Sequence, residues 1–231
     1  MLATLPAEEF DRLQPALQGV ELELGQPLIW PNQPITHVHF PSNAVISQVA
    51  LGDEGQEVET GIIGREGASG LPLLLGAETE PFRSVCQVPG AAWRMRAADF
   101  LQAAQPGTPL HARLLRFTQA KTVMAYQGVL CHRLHSVDER CARWLFLVHD
   151  RVDGDEFRLT HEFLAVMIAA RRPSVTVALG VLQRAGALDY QRGQMRILDR
   201  ATLERAACEC YAIIAAEYAR LLGGLGKRAL P

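Results

Sequence analysis

The chain has 231 residues, of which 48% are hydrophobic and 21% charged, and its formal net charge is −2. This is ordinary globular composition and excludes collagen-like and disordered chains. No apolar run approaches the ~18 residues that a membrane span needs, so no membrane association is expected. The first twelve residues carry Glu8, Glu9 and Asp11, unlike the basic-then-apolar pattern of a secretory leader. A cytoplasmic location follows as the expectation, with the five cysteines present as thiols. Charge is uneven along the chain. Residues 1–150 hold 11 basic and 16 acidic side chains, and residues 151–231 hold 12 and 9. An acidic front and a basic back suggest different partners for the two parts.

In chain order, Pro6 opens a short helix over residues 7–18. From Val20 to Met95 short apolar-rich runs alternate with Pro, Gly and Asn: Val20–Leu24, Pro27–Trp30, Ile35–Phe40, Ala44–Leu51, Glu57–Ile63, Ser84–Val88 and Ala91–Met95. Many short strands at near-regular spacing predict an antiparallel barrel or jelly roll. Within Ile35–Phe40 the alternation puts Val38 and Phe40 on one side and His37 and His39 on the other, outer side.

After Ala97 the pattern becomes helical. Leu110, Leu114, Phe117, Lys121, Met124, Gly128 and Cys131 follow a 3.5-residue repeat, which suits a helix packing against its own copy in a dimer. The alternative is a helix lying on its own barrel. Asp138–Val152 predicts a second helix, and Asp153-Gly154-Asp155 a turn.

Thr160 is a good N-cap for a short helix with Phe163, Leu164, Met167 and Ile168 on its buried face. Arg171-Arg172 follows, and Pro173 opens a longer helix in which Val175, Leu179 and Leu182 face the core. Gly186 stops it. This is a helix-turn-helix, whose second helix offers its N-terminal residues to base edges in the major groove. Ala187–Gln191, Arg192-Gly193 and Gln194–Leu198 then form a hairpin, a wing whose tip Arg192 reaches phosphate.

The segments Leu159–Ala165 and Arg171–Thr176, together with Gly64-Arg65-Glu66-Gly67, resemble the Crp/Fnr family of bacterial transcription regulators. Arg133-Leu134-His135 and Ala207–Tyr211 resemble one subgroup of it. The resemblance implies an α+β fold. A jelly-roll-like antiparallel β-roll of the cyclic-nucleotide-binding type would occupy residues 1–105, a dimerisation helix 106–135, and a winged helix-turn-helix 136–231. It implies a homodimer on a two-fold symmetric operator in double-stranded DNA, with RNA polymerase as a further partner of an activator. Carried over by position, Arg172, Pro173 and Val177 fall where bases are read. Arg171, Ser174, Thr176 and Arg192 are better placed for phosphate; with the register shifted by one residue, Arg171 takes the base-reading place.

In cAMP-binding members a Gly-Glu-Leu carboxylate meets the ribose and an Arg-Ser pair holds the cyclic phosphate. Arg83-Ser84 matches the second feature. Gly67-Ala68-Ser69-Gly70-Leu71 lacks the carboxylate, and Glu66 comes about three residues early. Arg83, Ser84 and Ser69 are therefore the candidate effector residues, and cAMP itself is not expected to bind tightly. No resident cofactor is expected. No cysteine precedes Cys86, which removes the iron–sulfur sensor of the oxygen-sensing relatives. Cys208 and Cys210, read as i and i+2 on one helix, would point apart, so no metal site is expected. The rival readings are a cupin-like metalloenzyme built on His37 and His39, and a nucleotide-responsive module acting on a protein partner. The first lacks an acid at positions 43 and 44, and the helix-turn-helix speaks against the second. A non-enzymatic regulator is the expectation.

Overall fold

The computed structural model describes residues 1–224. Helix α1 (Ala7–Leu13) leads into strands β1 (Gln18–Leu22), β2 (Pro27–Ile29), β3 (His37–Pro41), β4 (Val45–Leu51) and β5 (Glu57–Ile63). The short helix α2 (Leu71–Leu74), strands β6 (Arg83–Val88) and β7 (Gly90–Arg96) and helix α3 (Ala97–Ala103) complete this half. The strands form two antiparallel sheets, β1-β7-β3 and β2-β6-β4-β5. Their inner faces enclose Val38, Phe40, Ile46, Val49, Ile62 and Met95. This is the jelly-roll-like β-roll predicted from the strand spacing. The alternation expected for His37 and His39 fails at His39. His39 is buried beneath the loop after β5, where its backbone N–H donates to Ser69 Oγ at 2.9 Å. Burial lowers its pKa to about 4, so it is a neutral structural imidazole.

Helix α4 (Pro109–Leu134) starts at Thr108, whose hydroxyl accepts from His111 N. Helix α5 (Val137–His149) starts with a Ser136–Glu139 capping box. Strand β8 (Glu156–Arg158), helices α6 (His161–Met167) and α7 (Arg172–Arg184), strands β9 (Leu188–Gln191) and β10 (Gln194–Ile197) and helix α8 (Arg200–Ala206) follow. β8 joins the wing in a three-stranded sheet of order β8-β10-β9. Helix α9 (Cys210–Leu222) is the last described element and is capped by Gly223.

The apolar repeat of α4 does not face outwards. Leu110, Leu114, Phe117, Met124 and Cys131 are all buried within one chain, because α9 packs along α4 and the roll closes on it. Phe117 stacks edge-on against Tyr218 of α9, with ring centroids 6.4 Å apart. It also lies on Gly67, where a Cβ would meet the ring at 2.1 Å, so only glycine fits. Lys121 reaches inward to donate to Gln48 Oε1, and burial lowers its pKa to about 8. Gly128 has open space beside it. The predicted seam is thus spent inside the chain, as in the alternative of a helix on its own barrel. The opposite face of α4 is the exposed one: Leu115, Tyr126, Val129, Leu130 and Leu134 stand in solvent, Tyr126 and Val129 at 72%. A further consequence is that α9, placed by sequence in the DNA-binding part, returns to pack on the long helix.

Candidate nucleic-acid interface

Thr160 caps α6, its hydroxyl accepting from Phe163 N at 3.1 Å. Leu164, Ala165 and Met167 of α6 pack inward with Val175, Ala178, Leu179 and Leu182 of α7. The turn between them closes through Ala169 in the left-handed conformation, φ 49°. Pro173 lies in the first turn of α7, where its missing N–H costs nothing. Burying one stripe of α7 leaves the other in solvent: Arg171, Arg172, Pro173, Thr176, Val177 and Arg184 are exposed, and Ser174 is half-buried. Val177, on the same stripe, is 63% exposed.

The wing is aimed by its turn. Arg192 (φ 49°) and Gly193 (φ 80°) both adopt positive φ between the paired residues Gln191 and Gln194, the geometry of a two-residue type I′ hairpin. Leu159 N donates to Gly193 O at 2.9 Å and fixes the tip beside the start of α6. His161 stacks on Tyr190 of β9, centroids 4.7 Å apart, a second contact between α6 and the wing. Arg158 and Arg196 are exposed near Arg192 on the same small sheet.

Two predicted contact residues have partners within the module. Arg172 Nε lies 2.6 Å from Glu162 Oε1, both more than 60% exposed. Thr176 Oγ1 is 2.8 Å from His161 Nδ1 and donates to Arg172 O. An exposed pair of this kind is worth about 0–1 kcal/mol, so it steers Arg172 without withholding it from a stronger acceptor.

The candidate effector residues are arranged differently. Arg83 is bound by Glu57, with Nη2 2.7 Å from Oε1. Ser84 is buried in β6, and Ser69 is occupied by His39 N. Glu66 does not reach the roll interior. It meets Arg151, after α5, at 2.8 Å, with both side chains buried. Arg65 reaches Asp153 at 2.6 Å, and Trp144 Nε1 donates to Glu59 at 2.8 Å. The Gly-Arg-Glu-Gly turn is therefore a joint between the roll and the helix that leads into the winged module. Arg151 also lies over the Tyr218 ring, 5.5 Å from its centroid, which brings α9 into the same joint. Ser47 donates to Glu59 and to Gln87, and separately Gln48 links Glu80 to Lys121 of α4.

Cys208 and Cys210 do not share a helix. α8 ends at Ala206, and Cys210 is the first residue of α9. The expectation that their side chains diverge is therefore overturned.

Among the described residues, no single helix is long and apolar enough to cross a membrane. The Crp-like helix-turn-helix domain family matches residues 139–206. No curated protein matches the sequence significantly. Among solved structures, FixK2 from Bradyrhizobium japonicum is 14% identical with a TM-score of 0.70, covering 83% of this chain and 98% of its own. A Crp/Fnr-family transcriptional regulator from Thermus thermophilus is 18% identical with a TM-score of 0.66, covering 82% and 98%. The c-di-GMP-responsive global regulator CLP from Xanthomonas campestris is 15% identical with a TM-score of 0.65, covering 84% and 100%. The chain thus has the Crp/Fnr fold and carries a Crp-like helix-turn-helix domain within it.

Proposed function

We propose that the protein is a sequence-specific, non-enzymatic transcription regulator that binds a two-fold symmetric DNA site as a homodimer. The observation that carries this reading is the exposed stripe at the start of α7, with Arg171, Arg172 and Val177, beside the Arg192 wing tip. An α-helix fits the major groove. Arginine there contacts guanine O6 and N7, whereas valine can only pack against a thymine methyl. The recognised half-site should carry a guanine opposite Arg172 and an apolar contact at Val177. Arg171, Ser174, Thr176 and Arg192 are the phosphate anchors, and Pro173 packs against the bases.

The dimer face in this reading is the outer side of α4, through Leu115, Thr122, Tyr126 and Val129, which recur at helical-seam spacing. RNA polymerase is a further partner if the protein activates. The effector differs from cAMP. Arg83 is held by Glu57, Ser69 by His39, and Glu66, three residues before Ser69, is spent on Arg151. Selection of randomised duplex DNA on the full chain tests the reading. A symmetric motif with one dominant guanine per half-site is expected. Retention of DNA with no enriched sequence would defeat it.

A further inference from the structure

At the C-terminal end of α4, away from the DNA-facing stripe, four donor groups converge. Cys131 lies in the last turn of α4, and His135 is the residue that caps the helix, its backbone N–H donating to Cys131 O at 3.1 Å. Cys208 follows the end of α8, and Cys210 opens α9. The break in the chain at Ala207 turns both thiols toward the same point. One ligand atom from each residue, three sulfurs and a nitrogen, lies within 4.8 Å of all the others. All three cysteines are buried and form a small cluster of their own, apart from the main core.

The spacing is that of coordination rather than of a disulfide. Cys131 Sγ is 3.5 Å from Cys208 Sγ, and Cys210 Sγ is 3.5 Å from His135 Nδ1. A disulfide would need about 2.05 Å. A tetrahedral ion with bonds of about 2.3 Å to sulfur and about 2.0 Å to nitrogen has S···S edges near 3.8 Å and S···N edges near 3.5 Å.

The surroundings fit as well. The other ring nitrogen of His135, Nε2, lies 3.2 Å from Glu209 Oε1. A metal-bound histidine almost always donates its second ring N–H to a carboxylate, a backbone carbonyl or a water, and a carboxylate at Nε2 favours the tautomer with Nδ1 free to ligate. Gln127 Nε2 donates to Cys210 Sγ at 3.3 Å, the kind of N–H contact that tempers the charge on a bound thiolate.

We propose that Cys131, His135, Cys208 and Cys210 form a closed, tetrahedral Cys3His site for a thiophilic divalent metal, zinc above all. Three thiolates and an imidazole fill four positions, which matches structural zinc and leaves no place for a reacting water. Such an ion would tie the end of the long helix to the turn between α8 and α9. It would thereby fix α9, which covers the buried face of α4. Each bound cysteine loses its proton to solvent as the ion enters.

The experiment uses the full, untagged chain purified under reducing conditions. Metal analysis should find one zinc per chain. Replacement by cobalt should give the intense visible bands of a tetrahedral ion and the ultraviolet bands of cobalt–thiolate bonds. Cys210→Ser should abolish or shift both sets, whereas Cys86→Ala, in the roll, should leave them unchanged. Glu209→Gln is exposed and should fold. It should keep the tetrahedral spectrum while weakening metal affinity about 10- to 100-fold in a chelator competition. A chain with five titratable thiols and neither zinc nor a cobalt–thiolate spectrum overturns the proposal. So does a cobalt spectrum indifferent to Cys210→Ser, or a Cys131–Cys208 disulfide recovered from the reduced protein.

Discussion

In the roll and at its joint with α5, charged side chains have been turned toward each other. Arg83 is held by Glu57, Arg65 by Asp153, and Glu66 by Arg151 out of reach of water. In the winged module Arg171, Arg184 and Arg192 stand in solvent, and Arg172 has only the exposed Glu162 for company. The difference separates two uses of charge. A buried pair cannot be offered to a ligand without leaving its partner stranded, so it fixes how parts of one molecule sit together. An exposed arginine on a rigid helix or hairpin keeps its donors for something outside. The motif Gly64–Gly67 belongs to the first kind, through Arg65 and Glu66.

The largest effect should come from breaking the buried pair. Glu66→Gln leaves Arg151 charged and unpaired in the interior, which costs about 3–5 kcal/mol. Denaturant unfolding should show the midpoint falling accordingly. Replacing both residues with apolar ones of similar size should recover much of the loss. If Glu66→Gln is neutral, the joint is not what holds roll and winged module together.

The two faces of α4 sharpen the same contrast. Phe117→Ala removes a ring packed on Gly67 and Tyr218 and should cost about 3–5 kcal/mol of stability. Tyr126→Glu lies on the exposed face and should leave stability within about 0.5 kcal/mol. It should nonetheless shift the mass seen in light scattering toward the monomer. A Tyr126→Glu variant that stays dimeric would move the dimer face elsewhere.

Glu59 offers a pH readout of the joint. Burial raises its pKa from 4.5 to about 7, against the opposing bonds from Ser47 and Trp144. The folded state therefore holds a proton that the unfolded chain has already released. Stability from this group is complete below about pH 4.5, declines as pH rises, and is gone above about pH 7. The loss amounts to about 3 kcal/mol at most, at roughly 1.4 kcal/mol per unit. Glu59→Gln should flatten stability across that window. An unchanged pH profile would show that Glu59 is already ionised when folded.

Much of this architecture is written locally in the chain. The strands announced themselves through alternation and turn residues, and α6 and α7 through Thr160 and Pro173. What escaped depends on what lies across from a residue. A 3.5-residue repeat says that one face of α4 is covered, not by what, and the cover is α9, about ninety residues later. Glu66 and Arg151 are 85 residues apart, and nothing near either one names the other. Ala206-Ala207-Cys208-Glu209-Cys210 contains neither Gly nor Pro, so the break that unites the two thiols with Cys131 carries no strong local mark. The turn before α7 is likewise hidden, because its left-handed residue is Ala169 rather than glycine. β8, three residues long, shows its strand character only through its pairing with β10.

The smallest effects separate reader from anchor within the exposed set. Arg172 stands in the first turn of α7, where side chains meet base edges, and Arg192 stands at the wing tip, fixed by a hairpin turn and by Leu159 N. Arg172→Ala should cost about 1–3 kcal/mol on the preferred site and relax preference at one base pair per half-site. Part of that cost is offset, because the weak Glu162 pair no longer has to be broken. Arg192→Ala should instead weaken every sequence alike. Losing one phosphate contact per wing should lower the slope of log K against log salt by about 0.9 for each. The two variants compared on the same selected duplex and on a scrambled one give the test. If Arg172→Ala lowers both duplexes equally and Arg192→Ala discriminates between them, the wing reads sequence and the helix only anchors.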